Sequence, residues 1–116
     1  MKKKVIIVED NELILLLNQR YLAKCDCDVV GATTDFEEFG IMVAQLNPDI
    51  ILMDVFLGQD RDGIDFIASL TDSAARVIYL SGTSDPVIME KAKATQYHSF
   101  LQKPVLLSEL ISAIYD

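Results

Sequence analysis

The stretch Asp49-Ile50-Ile51-Leu52-Met53-Asp54-Val55-Phe56-Leu57-Gly58 decides the fold. Every position from Ile50 to Met53 is apolar, and an acid, Asp54, closes the run. A strand with one wet face alternates apolar and polar residues. An unbroken apolar run of this length, ended by polar residues, marks a strand covered on both faces, as in parallel sheets. Lys4-Val5-Ile6-Ile7-Val8 and Arg76-Val77-Ile78-Tyr79-Leu80 read the same way, and Cys27-Asp28-Val29-Val30-Gly31-Ala32 and Ser99-Phe100-Leu101-Gln102 are weaker strands.

Helical segments lie between them. Glu9-Asp10-Asn11-Glu12 starts one that ends near Cys25. Thr34-x-x-Glu37 reads as a capping box opening a second, which Asn47-Pro48 ends. Asp62-Gly63 opens a short one to Leu70, Ser84-Asp85-Pro86 caps a fourth with Pro in its first turn, and a fifth runs from Leu106 to Tyr115. The order βαβαβαβαβα predicts an α/β fold with a parallel sheet and helices on both faces. No linker, repeat or low-complexity segment interrupts it, and 116 residues suit one domain spanning 1–116.

Composition narrows the function. The chain is 51% apolar, and 10 Lys and Arg against 18 Asp and Glu give a net charge of −8. That balance opposes direct nucleic-acid binding and docking on anionic membranes. The apolar runs Val5–Val8 and Leu13–Leu17 are too short for a secretory leader or a membrane span, so a soluble, cytoplasmic protein is expected. Cys25 and Cys27, one residue apart, are expected to be reduced structural thiols.

In open parallel sheets, ligands bind outside the carboxyl ends of the strands. Glu9 and Asp10 follow the first strand, Asp54 ends the third, Ser81-Gly82 follow the fourth and Lys103-Pro104 the fifth. Each has an ordinary use: acids at a helix start, a turn, a strand exit. Their conjunction at four strand ends points to a site. With those strands adjacent, three carboxylates crowd together, and such a cluster needs a cation. Hard oxygen ligands suit Mg²⁺, and Asp54 is then a candidate nucleophile of the aspartyl-phosphate type. A phosphoryl group there needs Lys103 as a point charge and Ser81 as a donor, with small Gly82 leaving the approach open.

These residues, with Phe100 three before the lysine, make the whole chain resemble the response-regulator receiver domains of two-component signalling, the CheY-like family. The resemblance implies strand order 2-1-3-4-5. It implies that Asp54 accepts a phosphoryl group from a histidine kinase or histidine phosphotransfer protein, and that the chain is a phosphoacceptor rather than an enzyme with an external substrate. It implies Mg²⁺ held by Glu9, Asp10, Asp54 and the backbone carbonyl of Phe56, with Lys103 on the phosphoryl oxygens. Ser81 and Phe100 are then the switch residues, and the Lys103-Pro104 bond is expected to be cis. The resemblance implies that the signal leaves through the face of helix 4, strand 5 and helix 5. It implies that the signal reaches a downstream protein or an output domain not in this chain, from a monomer or a phosphorylation-linked dimer.

The sequence also departs from the family. Gly58 stands where Pro is common, and Gly58-Gln59-Asp60-Arg61-Asp62-Gly63 is one residue longer than usual. Glu9-Asp10 replaces the commoner Asp pair. Phe56 and Thr83, at the places that tune phosphoryl lifetime, offer no acid or amide to orient water, so a long-lived aspartyl phosphate is expected. Ile14, Leu17 and Tyr21, spaced i, i+3, i+7, are expected to face the core, which leaves Leu15 and Leu16 as a docking patch for the partner. A flavodoxin-like reading fails because Glu9-Asp10-Asn11-Glu12 repels a flavin phosphate. A dehalogenase-type phosphatase needs an acid where Phe56 stands. A phosphorylation-independent interaction module remains the third alternative.

Overall fold

The computed structural model describes residues 2–55, 62–70, 73–82 and 85–115, with Phe36 described by its backbone alone. Strands β1 (Lys3–Val8), β2 (Cys27–Thr33), β3 (Ile50–Asp54), β4 (Arg76–Ser81) and β5 (Ser99–Gln102) alternate with helices α1 (Glu12–Ala23), α2 (Phe36–Leu46), α3 (Gly63–Ser69), α4 (Pro86–Lys93) and α5 (Leu107–Tyr115). The strands pair in parallel in the order β2-β1-β3-β4-β5.

Side chains alternate across a strand, so each apolar run feeds two cores. Val5, Ile7, Ile50, Leu52, Ile78 and Leu80 point to one face, where Leu22 of α1 and Leu110, Ala113 and Ile114 of α5 cover them. Ile6, Val8, Ile51, Met53, Val77 and Tyr79 point to the other, under Phe39 of α2, Ile64 and Ile67 of α3 and Ala92 of α4. All five residues of β3 are buried, which is why its sequence carries no polar alternation.

Local chemistry sets the helix ends. Asn11 caps α1, accepting from the N–H groups of Leu13 (3.0 Å) and Ile14 (3.1 Å). Glu9 and Asp10 therefore precede the helix rather than start it. The cap of α2 is Asp35, not Thr34: its Oδ1 accepts from Glu37 N–H at 3.0 Å, while Thr33 Oγ1 accepts from Asp35 N–H at 2.9 Å. Asp is as good a cap as Thr, and here it stands one residue closer to the helix. Asn47 ends α2 in the left-handed region (φ 48°), a conformation Asn tolerates, and Pro48 stops the helix there.

One expectation for α1 is overturned. Ile14, Leu17 and Tyr21 do not enter the core; they are 36%, 39% and 42% exposed. Leu22 is the buried residue of the helix, and Leu15 packs against the same core. The inward stripe is Leu15 and Leu22, with half-buried Asn18 and Gln19 between them. Two polar residues in its middle hide it from an apolar-periodicity reading, while a second, purely apolar stripe faces outward.

Candidate phosphoacceptor site

Strand pairing gathers the site. Val8 lies beside Met53, Asp54 beside Leu80, and Ser81 beside Gln102, so the carboxyl ends of β1, β3, β4 and β5 meet at one edge. Two backbone bonds fix that edge further: Glu9 N–H donates to Thr33 O (3.1 Å) and Lys103 N–H to Ser81 O (2.8 Å).

Glu9 and Asp54 are buried, 2% and 3% exposed; Ser81 is buried and Asp10 exposed. Lys103 Nζ bridges the first two, donating to Glu9 Oε1 at 3.1 Å and to Asp54 Oδ1 at 3.0 Å. The Lys103–Pro104 peptide bond is cis. Glu9, Asp10 and Asp54 each bring a carboxylate oxygen within 4.8 Å of the others. Gly82 is exposed, and a Cβ built there meets nothing within 4 Å, so the approach beside Ser81 is open.

Electrostatics follows from this crowding. Burial, then the hydrogen bond and negative charge of Glu9, push the Asp54 carboxyl up to about 7; Lys103 pulls the other way without winning. Burial lowers Lys103, but its bonds to Asp54 and Glu9 and their charges outweigh that and leave it above its ordinary value. A cluster this acidic and this poor in positive charge is suited to a hard divalent cation, and its all-oxygen donor set fits Mg²⁺.

Phe100 is half-buried and packs at a tilt on Tyr79 (6.0 Å between ring centres) and edgewise on Tyr97 (6.2 Å). Phe56 and Thr83 lie outside the described residues, as do Gly58, Asp60, Arg61 and Ser84. Sequence reasoning missed two features. One is an apolar groove of about 440 Å³ in which Ile14, Leu17 and Tyr21 of α1 face Lys103, Pro104 and Val105. The other is an ion cluster of Lys91, Asp62 and Asp65. The Asp62-x-x-Asp65 spacing of a reciprocal cap was a usable signal for the second.

The sequence model of the response regulator receiver domain matches residues 5–115. The chain belongs to that family. It is 32% identical over 114 residues to the transcriptional regulatory protein PdtaR of Mycobacterium tuberculosis, covering 97% of this chain and 55% of that protein. The receiver thus spans about half the length of this curated relative. It is 27% identical over 116 residues to the chemotaxis protein CheY of Thermotoga maritima, covering 98% of this chain and 96% of that one. Among solved structures, the signal receiver domain of a modulated diguanylate cyclase from Desulfovibrio desulfuricans G20 superposes with a TM-score of 0.90 at 29% identity, over 98% of this chain and 91% of that one. Receivers are signalling domains, and the buried acid at the end of β3 is where this one gathers its ionisable groups. Among the described residues, no helix is long and apolar enough to cross a membrane.

Proposed function

We propose that residues 1–116 form a receiver domain in which Asp54 accepts a phosphoryl group from the phosphohistidine of a histidine kinase or histidine phosphotransfer protein. The observation that carries this reading is the buried Asp54 carboxylate, bonded by Lys103 and flanked by Glu9 and Asp10 at an open sheet edge. An Asp54 carboxylate oxygen attacks phosphorus. A P–O bond forms as the P–N bond to the partner's imidazole breaks, and the electron pair stays on the imidazole nitrogen. Lys103 Nζ, 3.0 Å from Asp54 Oδ1, is placed to meet the transferred oxygens, and Ser81, at the end of the neighbouring strand, is placed to bond one of them. Glu9, Asp10 and Asp54, with the Phe56 carbonyl, would hold Mg²⁺, which when bound supplies positive charge against the carboxylates and the phosphoryl oxygens. Phe56 and Thr83 set the phosphoryl lifetime. The chain assists its own phosphorylation and hydrolysis and turns over no external substrate. In this reading it works in the cytoplasm, as a monomer or phosphorylation-linked dimer. Its α4-β5-α5 face, through Ser81 and Phe100, signals to a partner or output domain.

The test is incubation with acetyl phosphate, with and without Mg²⁺, followed by intact-mass measurement beside Asp54→Ala. One phosphoryl group gained only with Mg²⁺, and only by the wild type, is the expected result. No gain by the wild type, with Mg²⁺ binding shown separately, would leave an interaction module without a phosphoryl switch.

Of the expected patch, Leu15 packs on the core while Leu16 is 46% exposed; the partner's docking surface is better served by the neighbouring groove of Ile14, Leu17 and Tyr21. The groove includes Lys103, so a helix seated there lies beside Asp54. The double variant Leu17→Glu and Tyr21→Glu is expected to slow transfer from a phosphohistidine protein about ten-fold or more, the usual loss when interface anchors are removed. Uptake from acetyl phosphate should stay unchanged. Equal loss from both donors would place the effect in the fold rather than in docking.

A further inference from the structure

Helix α4 is held to the sheet by little apolar surface. Its one buried residue is Ala92, Ile88 and Met89 are half-buried, and Val87 is 72% exposed. Besides Ala92, only Ile88 of this helix packs against the core, so its apolar anchorage is narrow. Polar ties supply much of the rest. Thr95, just beyond the helix, donates to Ala92 O at 2.7 Å, so the Tyr79 hydroxyl is the donor in the 2.8 Å bond between Tyr79 and Thr95. Lys91 Nζ reaches the start of α3, 2.8 Å from Asp62 Oδ2 and 2.8 Å from Asp65 Oδ1.

The oxygens are divided between two tasks. Asp62 Oδ1 accepts from Asp65 N–H (3.0 Å) and Asp65 Oδ2 from Asp62 N–H (3.3 Å), the reciprocal cap of α3. The other oxygen of each carboxylate goes to Lys91. One residue on, Gly63 N–H donates to Val55 O at 2.8 Å, and a Cβ on Gly63 would fall on the Asp54 carbonyl oxygen. An unbroken line of contacts therefore runs from α4 through Lys91, Asp62 and Gly63 to the backbone of Asp54 and Val55.

We propose that Lys91 is a latch that holds α4 against the start of α3 in the unphosphorylated protein, and that its release is part of the response to phosphorylation. The proposal rests on the reading of Asp54 as phosphoacceptor. An acyl phosphate on Asp54 carries about 1.5 to 2 negative charges, farther out than the carboxylate charge it replaces, and so puts added negative charge and three acceptor oxygens within reach of Ser81. Ser81 ends β4 four residues before Asp85, the cap of α4. Drawing Ser81 toward that charge shifts the entry of a helix with little apolar anchorage, and two 2.8 Å ion pairs hold only in one position. If phosphorylation proceeds through the unlatched conformer, a variant without the latch populates that conformer more and takes up phosphate faster.

The experiment compares wild type, Lys91→Met and Lys91→Arg. Uptake from acetyl phosphate in Mg²⁺ is followed by intact mass at low and high NaCl, and amide exchange of Gly63 is followed in the unphosphorylated proteins. Lys91→Met is expected to take up phosphate about two- to five-fold faster than wild type at low salt, the range that partly exposed ion pairs support. The difference should shrink at high salt, where such pairs are screened. Lys91→Arg should stay near wild type, and Gly63 should exchange several-fold faster in Lys91→Met. Uptake by Lys91→Met at or below the wild-type rate overturns the latch, and so does a difference that salt leaves intact. If Lys91→Met does not fold, Lys91→Gln replaces it under the same criteria. If the wild type takes up no phosphate at all, the phosphoacceptor reading fails by itself, and unchanged Gly63 exchange in Lys91→Met then overturns the latch separately.

Discussion

Replacing Asp54 with Asn is expected to favour the folded, metal-free protein increasingly as pH rises, with the advantage growing by about 2–3 kcal/mol between pH 5 and pH 8. Burial and Glu9 raise the Asp54 carboxyl to about 7 in the folded state, against 3.8 for an unperturbed Asp. A raised value means the folded state holds this proton more tightly than the unfolded chain. The stabilising contribution is complete below about 3.8 and is lost as pH rises through about 7. At pH 5 the native Asp54 is protonated and resembles Asn; at pH 8 it is a buried carboxylate sharing one lysine with Glu9. Asn carries no charge and avoids that cost at both pH values, though it cannot accept a phosphoryl group. Urea unfolding of both proteins in EDTA at the two pH values measures the gap. A gap that stays constant with pH would mean that Asp54 ionises in the fold without penalty. Added Mg²⁺ should stabilise the wild type more than Asp54→Asn, since a ligand stabilises the state that binds it. An acid kept at such a cost is expected where stability is given up for function.

The same balance explains what the sequence could disclose. The three central strands β1, β3 and β4 were legible because burial on both faces leaves unbroken apolar runs such as Ile50 to Met53, whereas the edge strands β2 and β5, half-buried and partly polar, gave weaker signals. The site was legible because an acid, a hydroxyl and a lysine ending different strands have no common structural reason to do so. The strand order came from the family resemblance, since periodicity carries no information about which strands are neighbours. The inward face of α1 was not legible. Leu13 to Leu17 is apolar on every side of the helix, and the true stripe passes through Asn18 and Gln19. The Lys91 cluster was hidden for another reason. Lys91 and Asp62 are 29 residues apart, and only the packing of α4 beside α3 brings them to 2.8 Å. Asp62-Gly63 was read as a helix opener, which it is, but the reason for glycine lies in the sheet rather than in the helix.

That reason supports an opposite-sign pair of substitutions. Gly63→Ala is expected to destabilise the protein by about 2–4 kcal/mol, as overpacking against rigid neighbours does. Its Cβ would fall on the Asp54 carbonyl oxygen and lie 2.6 Å from Met53 Cγ and 2.8 Å from Met53 Sδ. The methionine side chain can rotate away, but the carbonyl belongs to the end of β3 and cannot move without shifting Asp54. Gly40→Ala, in the exposed middle of α2, meets nothing within 4 Å and should stabilise by about 0.5–1 kcal/mol through helix propensity alone. Urea midpoints should therefore move in opposite directions with unchanged slopes. A Gly63→Ala midpoint equal to that of the wild type would show that α3 does not press on the end of β3. If it does press, Gly63→Ala should also slow phosphate uptake in the molecules that remain folded, whereas Gly40→Ala should not. The loss would then come from a displaced Asp54 backbone rather than from any missing side chain, because glycine has none to lose.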